Sequence, residues 1–193
     1  DAELIARLGS HHTHDRETAQ RILAERNTAE ARGKLRALVL ADATPAKTRR
    51  HALFALCGGG SLEPEFHSAL LAHSEPTLRA WGWRMAGNMG KVDPAVQSSL
   101  NIAKEESPDV LLQAAIASVK VEGLDPIPLL LDALVRAGDD VLIPHIVWQN
   151  LHPLLPSRSA EFLAEVKNRG LKENANLAKI MPRVTERILA GNK

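Results

Sequence analysis

The 193-residue chain is 45 % apolar but only 3 % aromatic, with no tyrosine, which disfavours a β-sandwich or a β-barrel. Its 24 basic and 23 acidic residues leave a formal net charge of +1, so the clear basic excess typical of nucleic-acid-binding proteins is absent. The lone Cys57 excludes an intrachain disulfide and a cysteine-based zinc or iron–sulfur site, and no apolar run reaches the length of a transmembrane helix.

Helical signals follow one another along the chain in pairs, and no segment keeps the two-residue period of a β-strand. Asp93-Pro94 and Asp125-Pro126 each combine an N-cap residue with a proline in the first helical turn. The glycines at 58–60 are a helix stop. The predicted pairs are 1–8 with 14–27, 28–41 with 44–57, 63–72 with 75–89, 93–105 with 108–121, 125–137 with 139–152, and 157–168 with 172–190.

The last predicted pair differs from the others. Its second helix, at 172–190, carries more polar residues, as the outer face of a terminal cap does in a repeat protein. Pro182 lies inside this helix and predicts a kink near Lys179, because proline removes one backbone hydrogen bond.

One sequence phrase recurs five times at a spacing of about 32 residues. Its anchor positions are Arg16, Arg49, Arg79, Leu111 and Ile143, separated by 33, 30, 32 and 32 residues. Three positions after the anchors lies a column of mostly small residues, namely Ala19, Ala52, Gly82, Ala114 and Ile146. Such a period with a small column predicts stacked helical hairpins, because small residues let neighbouring helices approach closely.

Two further columns predict an exposed ridge, because residues three apart share one helix face. The column two positions after the anchors is Thr18, His51, Trp81, Gln113 and His145, and the column five positions after is Arg21, Phe54, Arg84, Ile116 and Trp148. The candidate binding ridge consists of His51, Trp81, Arg84, Gln113, His145 and Trp148. The alternative is that the apolar members complete the packing between repeats. Trp83 belongs to an apolar column and is predicted to lie in the core.

The densest group of potential metal ligands is His11, His12 and His14, followed by Asp15. Histidine binds zinc, copper or nickel, but this spacing matches no established site. The simpler interpretation is a solvated turn with Asp15 capping the next helix. No nucleophile, acid–base or phosphate-binding motif is present, and Cys57 is interpreted as a packed thiol. The sequence therefore predicts no enzyme and no cofactor.

The phrase at 74–82, Ser-Glu-Pro-Thr-Leu-Arg-Ala-Trp-Gly, resembles the HEAT-repeat pattern, and 14–25, 44–56 and 107–119 carry looser versions. The resemblance covers nearly the whole chain and implies an all-α fold, an α-α superhelix of about five to six HEAT-like hairpins with essentially no strand. The implied single domain spans 1–193. Its repeats are about 1–27, 28–60, 61–90, 91–122 and 123–154, with a C-terminal cap at 155–193.

A narrower resemblance is carried by 18–26, by 53–56 and by 139–153, where Ile143, Pro144, Trp148 and Pro153 form the most telling pattern. These segments resemble the helical part of large secreted proteins of planctomycetes and verrucomicrobia. In those proteins the helical segment is joined to a propeller-type, dehydrogenase-like domain and to a c-type haem domain. The propeller-type domain is of the kind called a membrane-bound dehydrogenase domain. The resemblance implies that this chain is a fragment of a larger extracytoplasmic or periplasmic protein, and a spacer or docking surface between such domains.

Two functions remain open at this point. The first is a non-catalytic scaffold that binds protein domains and does not insert into a membrane. Its expected partners are domains of the same parent chain. The second is DNA binding in a basic concave groove, as in some HEAT-like proteins, with Arg21, Arg50, Arg79 and Arg84 contacting phosphates and Trp81 stacking on a base. The near-neutral total charge favours the first over nucleic acid. A HEAT-like chromophore lyase is a third class, for which no residue here matches.

Overall fold

A computed structural model describes residues 1–191, and over that range the chain has twelve α-helices and no strand. The helices are α1 Ala2–Arg7, α2 Thr13–Arg26, α3 Ala29–Leu40, α4 Ala46–Gly58, α5 Pro64–Leu71, α6 Pro76–Met89, α7 Pro94–Ser99, α8 Pro108–Ser118, α9 Pro126–Arg136, α10 Leu142–Leu151, α11 Leu155–Arg169 and α12 Ala175–Gly191. The predicted all-α class is thus confirmed for the described range. Residues 192 and 193, the end of the predicted cap, lie outside it.

The chain divides into two compact units, 1–69 and 70 onward, with the boundary inside α5. In the first unit α2 packs against α1 and α4, and α4 also packs against α3. In the second unit α6 packs against α8, α8 against α9 and α10, and α9 against α11 and α12. The single domain expected over 1–193 stays a prediction.

Five consecutive helices, α5 to α9, begin with a proline, whose missing N–H costs no hydrogen bond in the first turn. Asp93 and Asp125 cap α7 and α9 as predicted, because their carboxylates accept hydrogen bonds from the backbone N–H groups of Ala95 and Ile127 at 2.8 and 3.2 Å. The local chemistry of these helix starts is therefore readable from the sequence alone.

The helix expected at 93–105 is much shorter, because α7 ends at Ser99. The hydroxyls of Ser98 and Ser99 both donate to the carbonyl of Ala95, and the Asn101 side chain accepts from the N–H of Ala103 at 2.7 Å. Side chains of this kind offer the backbone an alternative to helical hydrogen bonds. Residues 100–107 consequently form a loop, although its apolar residues Leu100 and Ile102 are still buried.

The core of the second unit is apolar and continuous. Trp83 is 2 % exposed, which confirms its predicted core position, and Phe162 is fully buried. Gly82, from the small-residue column, is also buried, and a Cβ built on it would lie 2.9 Å from Cδ2 of Leu71. Close approach of Leu71 to α6 therefore requires a glycine at this position.

The kink expected near Lys179 in the C-terminal pair stays a prediction. Helix α12 runs through Pro182 as a single helix, and both Pro182 and Ala178 are exposed. The carbonyl that loses its N–H partner at Pro182 can therefore face water. The other helix of this pair, α11, contains a non-helical residue, Arg158, with φ −125° and ψ 27°, two residues after Pro156.

Candidate interaction groove

The three arginine anchors of the repeat phrase hold the turns that precede their own helices. Each guanidinium group donates hydrogen bonds to backbone carbonyls of its turn at 2.8 to 3.1 Å. The acceptors are Ser10 and His11 for Arg16, Ala41 and Asp42 for Arg49, and His73 and Ser74 for Arg79. These carbonyls lie in turns outside the helical hydrogen-bond ladder and gain partners from the arginines, which therefore serve the architecture.

Three members of the predicted ridge lie together in the second unit. Trp81 and Arg84 on α6, with Gln113 on α8, line a groove between the two helices. The groove consists of two cavities of about 190 Å³ each, which share Arg84 and Gln113 as lining residues. We call it the α6–α8 groove. The first cavity is lined by Thr77, Ala80, Trp81, Arg84, Asp109, Leu112 and Gln113, and the second by Arg84, Gly87, Asn88, Gln113, Ile116, Ala117 and Lys120.

Trp81 and Arg84 form one unit within this groove. Arg84 is exposed, and its guanidinium carbon lies 4.9 Å from the centroid of the half-buried Trp81 ring, as in a cation–π pair. Helical side chains lean towards the N-terminus, which explains why a residue three positions later covers the ring. Tryptophan and arginine are the residue types most enriched in interaction hot spots.

The floor of the groove is close-packed because α6 carries a glycine at its C-terminal half. A Cβ built on Gly87 would lie 3.1 Å from both Cα and Cβ of Ala117 and 3.7 Å from Cδ of Lys120. The missing side chain lets α8 approach α6, and it leaves room for the aliphatic part of Lys120 to cross onto α6. Lys120 thereby lines the far end of the groove.

The charges in the groove are separated along its length. Asp109 lies in the first turn of α8 and lines the first cavity, Arg84 lines both cavities, and Lys120 lines only the second. All three side chains are exposed, and none of them forms an ion pair within residues 1–191. An apolar middle of Ala80, Trp81 and Leu112 lies near Asp109. The groove is therefore acidic at one end, apolar in its middle and basic at the other end.

His51, the ridge candidate of the first unit, serves a different purpose. Its Nδ1 lies 2.7 Å from Oε1 of Gln20 on α2, and Nε of Arg16 donates to its Nε2 at 3.2 Å. A neutral ring with its hydrogen on Nδ1 satisfies both contacts. Burial, followed by the positive charge of Arg16, lowers the pKa of His51. The imidazole therefore links α2 to α4.

The remaining ridge candidates, His145 and Trp148, lie on α10 and do not line the groove. Trp148 is half-buried against the core, Arg183 of α12 lies 4.2 Å above its ring, and His152 meets its edge at 5.3 Å. His145 is exposed and contacts Gln149 at 2.9 Å. Trp148 therefore packs between helices, which is the alternative considered above for the apolar members of the ridge.

Two of the four arginines expected to serve DNA binding are paired with carboxylates. Arg79 binds the carboxylate of Glu105 through Nε and Nη2, at 2.8 and 2.9 Å. Arg21 of the first unit is paired with Glu25 at 2.6 Å. Arg84 carries its charge into the α6–α8 groove, whereas Arg50 is an exposed residue of α4.

The histidines at 11, 12 and 14 are all exposed in the turn before α2 and at its start. No group of three or more histidine, cysteine, aspartate or glutamate residues that could hold a metal ion occurs in the part of the chain that the structure describes. Asp15 does not cap α2, because its carboxylate accepts from the hydroxyl of Ser10 at 3.0 Å and the N-cap residue is His12.

Sequence reasoning missed the residues that α8 and the turn after it contribute to the groove, above all Asp109, Leu112 and Lys120. These three residues have the same positions relative to the anchor Leu111 as three α6 residues have relative to the anchor Arg79. Asp109 and Thr77 lie two positions before their anchors, Leu112 and Ala80 lie one position after, and Lys120 and Asn88 lie nine positions after. Reading these three additional columns would have found them.

Comparison of the chain with known protein families, characterised proteins and solved structures finds no match. Within the described residues, no helix combines the length and the apolar character needed to cross a membrane.

Proposed function

We propose that this chain is a non-catalytic scaffold of HEAT-like helical hairpins that binds a protein segment in the α6–α8 groove. The observation that carries the proposal is the meeting of Trp81, Arg84 and Gln113 in one groove. The packing of α2 on α4 in the first unit, and of α6 on α8 and α8 on α10 in the second, supports the repeat arrangement.

The size of the groove favours a protein segment over a small cofactor. Each cavity has a volume of about 190 Å³, which is smaller than the roughly 300 to 1,000 Å³ of typical ligand pockets. Cavities of this size suit single side chains of an extended segment. An exposed arginine stacked on tryptophan gives such a segment both apolar contact area and a charge.

The partner proposed from the sequence resemblance is a domain of the same parent protein. In that case the chain is a spacer between a dehydrogenase-like propeller and a c-type haem domain, in an extracytoplasmic or periplasmic compartment. Any redox chemistry then belongs to those neighbouring domains. The support for this arrangement is the pattern of Ile143, Pro144, Trp148 and Pro153.

The first experiment reads the coding sequence on both sides of residues 1–193 and expresses each neighbouring domain as a separate protein. Binding of each domain to the chain is measured by calorimetry, using wild type and the double variant Trp81→Ala/Arg84→Ala. We expect the double variant to weaken binding by at least about tenfold, as for a hot-spot pair. The absence of both neighbouring domains from the reading frame would contradict the spacer role.

The matched control is Trp148→Ala/Arg183→Ala, because it removes another tryptophan–arginine pair that lies outside the groove. We expect this control to retain binding. If it loses binding while Trp81→Ala/Arg84→Ala retains it, the binding surface is on α10 and α12, and the groove assignment is wrong. Helicity of both variants is checked by circular dichroism.

DNA binding is tested in parallel by fluorescence anisotropy with a labelled duplex at about 50 mM and about 200 mM salt. We expect no binding, because Arg79 is held by Glu105 and Arg21 by Glu25. Binding that weakens steeply with salt and requires Arg84 would replace the scaffold proposal with the DNA-binding alternative.

A further inference from the structure

We infer that the α6–α8 groove selects an acidic segment of a partner protein, in which an apolar side chain lies next to carboxylates on one side only. The apolar side chain contacts Trp81 and Leu112, and the carboxylates lie towards Arg84 and Lys120. This inference rests on the proposed function, since it specifies the chemistry of the segment that the groove binds.

The basic end supplies the selectivity for carboxylates. Arg84 and Lys120 are exposed, line the same cavity and form no ion pair among residues 1–191. Two cations without carboxylate partners create a positive local potential that favours an anionic ligand. The Arg84 guanidinium also stacks on Trp81, so its position is restricted before a ligand arrives.

The acidic end makes the selection one-sided. Asp109 lines the cavity that contains Trp81 and Leu112, and it too forms no ion pair in the described range. A second carboxylate on the opposite flank of the bound segment would lie towards Asp109, and like charges repel. A segment with carboxylates on both sides of the apolar residue is therefore disfavoured, whichever direction its backbone runs.

The length of the groove sets the length of the segment. Thr77 and Asn88 line its two ends and lie eleven residues apart on α6, which corresponds to about 16 Å at about 1.5 Å per residue. An extended chain covers this distance with about five residues at about 3.3 Å each. Asp109 and Lys120, which line different cavities, are also eleven residues apart, farther than the Debye length of about 10 Å at 0.1 M salt, so these two charges do not neutralise each other.

The test uses three fluorescein-labelled nine-residue peptides with a central leucine in a glycine–serine background. The one-sided peptide has two glutamates after the leucine, the two-sided peptide has two glutamates on each side, and the neutral peptide has none. Anisotropy titrations with the full chain measure their dissociation constants. We expect the one-sided peptide to bind roughly threefold to tenfold more tightly than the neutral peptide, a range set by two partly exposed ion pairs.

Three single variants assign the effect. Lys120→Ala is expected to remove most of the preference for the one-sided over the neutral peptide, whereas Lys91→Ala, an exposed lysine outside the groove, leaves it unchanged. Asp109→Asn is expected to improve binding of the two-sided peptide until it equals or exceeds that of the one-sided peptide. These shifts should shrink as the salt concentration rises.

Three outcomes would overturn the inference. Equal binding of the one-sided and neutral peptides that still depends on Trp81 leaves the proposed groove function intact and removes the acidic selectivity. A Lys91→Ala effect as large as that of Lys120→Ala shows that the preference comes from the general surface charge. If no peptide binds, or if binding is unaffected by Trp81→Ala, both the inference and the peptide-binding function of the groove are wrong.

Discussion

Arg79 and Glu105 join two turns of the second unit through a two-point contact, with Nε–Oε2 at 2.8 Å and Nη2–Oε1 at 2.9 Å. Arg79 also donates to the carbonyls of His73 and Ser74, so it connects the turn before α6 to the loop before α8. The two side chains are 21 % and 9 % exposed. Glu105 in turn accepts from the N–H groups of Glu106 and Ser107, and this one pair therefore orders the entry to α8.

Glu105→Gln is expected to lower the free energy of unfolding at neutral pH by about 1 to 3 kcal/mol, the usual range for hydrogen bonds to a charged group. Burial alone would raise the pKa of Glu105, but hydrogen bonds from Arg79 and Ser107 outweigh it, and the pKa lies below its ordinary 4.5. The stabilisation is therefore present above pH 4.5 and is lost as the pH falls below it.

Urea unfolding at about pH 7 and about pH 3.5 measures this difference. The difference between wild type and Glu105→Gln should shrink at the lower pH, because the unfolded wild-type chain then binds more protons at Glu105 than the folded chain does. Glu106→Gln is the control, since Glu106 is exposed and adjacent. An equal loss of stability in both variants would show that the Arg79 contact is not its source.

His51 predicts a second pH dependence, in the first unit. Burial and then the positive charge of Arg16 lower the pKa of His51 from the ordinary 6.5, because both disfavour the charged ring. The folded chain therefore binds fewer protons here than the unfolded chain. The contribution of His51 to stability is present above pH 6.5 and declines as the pH falls below it.

Thermal unfolding between about pH 7.5 and pH 5.5 should show a smaller loss of stability for His51→Gln than for wild type, because the amide does not titrate. His14→Gln replaces an exposed histidine of the same unit and should retain the wild-type slope. A wild-type slope in the His51→Gln protein would mean that another group titrates in this range.

Two glycine-to-alanine changes are expected to act in opposite directions. Gly82→Ala places a Cβ 2.9 Å from Cδ2 and 3.3 Å from the backbone nitrogen of Leu71, so it should cost about 1 to 3 kcal/mol. Gly33→Ala, inside α3, meets only the tip of Arg36 at 3.9 Å and should stabilise by about 0.5 to 1 kcal/mol. Denaturant unfolding of both variants measures the contrast, and a stabilising Gly82→Ala would contradict the close contact.

The two neighbouring tryptophans should separate stability from binding. Trp83 is 2 % exposed, and Trp83→Ala should cost about 3 to 5 kcal/mol as a cavity-forming core substitution. Trp81 is half-buried beside a groove, so Trp81→Ala should cost clearly less. The comparison is made by denaturant unfolding. A Trp81→Ala loss as large as that of Trp83→Ala would assign Trp81 to the core instead of the groove.

The pattern of the sequence predicted the helices well where local chemistry decides them. Asp93 and Asp125 cap α7 and α9, and a proline opens each of the five helices α5 to α9, as short-range rules anticipate. The end of α7 was predicted wrongly. There the hydroxyls of Ser98 and Ser99 and the amide of Asn101 compete for backbone groups, and periodicity does not register that competition.

The ridge columns were only partly informative about the site. They brought Trp81, Arg84 and Gln113 together, but they could not show that Trp148 is covered by Arg183 or that His51 is held between Gln20 and Arg16. Those contacts join residues more than thirty positions apart. The spacing of residues along the sequence shows which face of a helix each one lies on. The residues that contact that face belong to other helices, and the spacing does not identify them.

By itself the sequence determined the helical class, most helix boundaries and the buried position of Trp83, because local capping, proline placement and apolar periodicity act within a few residues. Only the tertiary structure decided which polar side chains are consumed in packing and which remain available. Arg79 binds Glu105, whereas Arg84 and Lys120 face a groove that also contains Asp109. The physical reason is that helix packing brings an opposite charge close to some side chains and not to others, and only the former are neutralised.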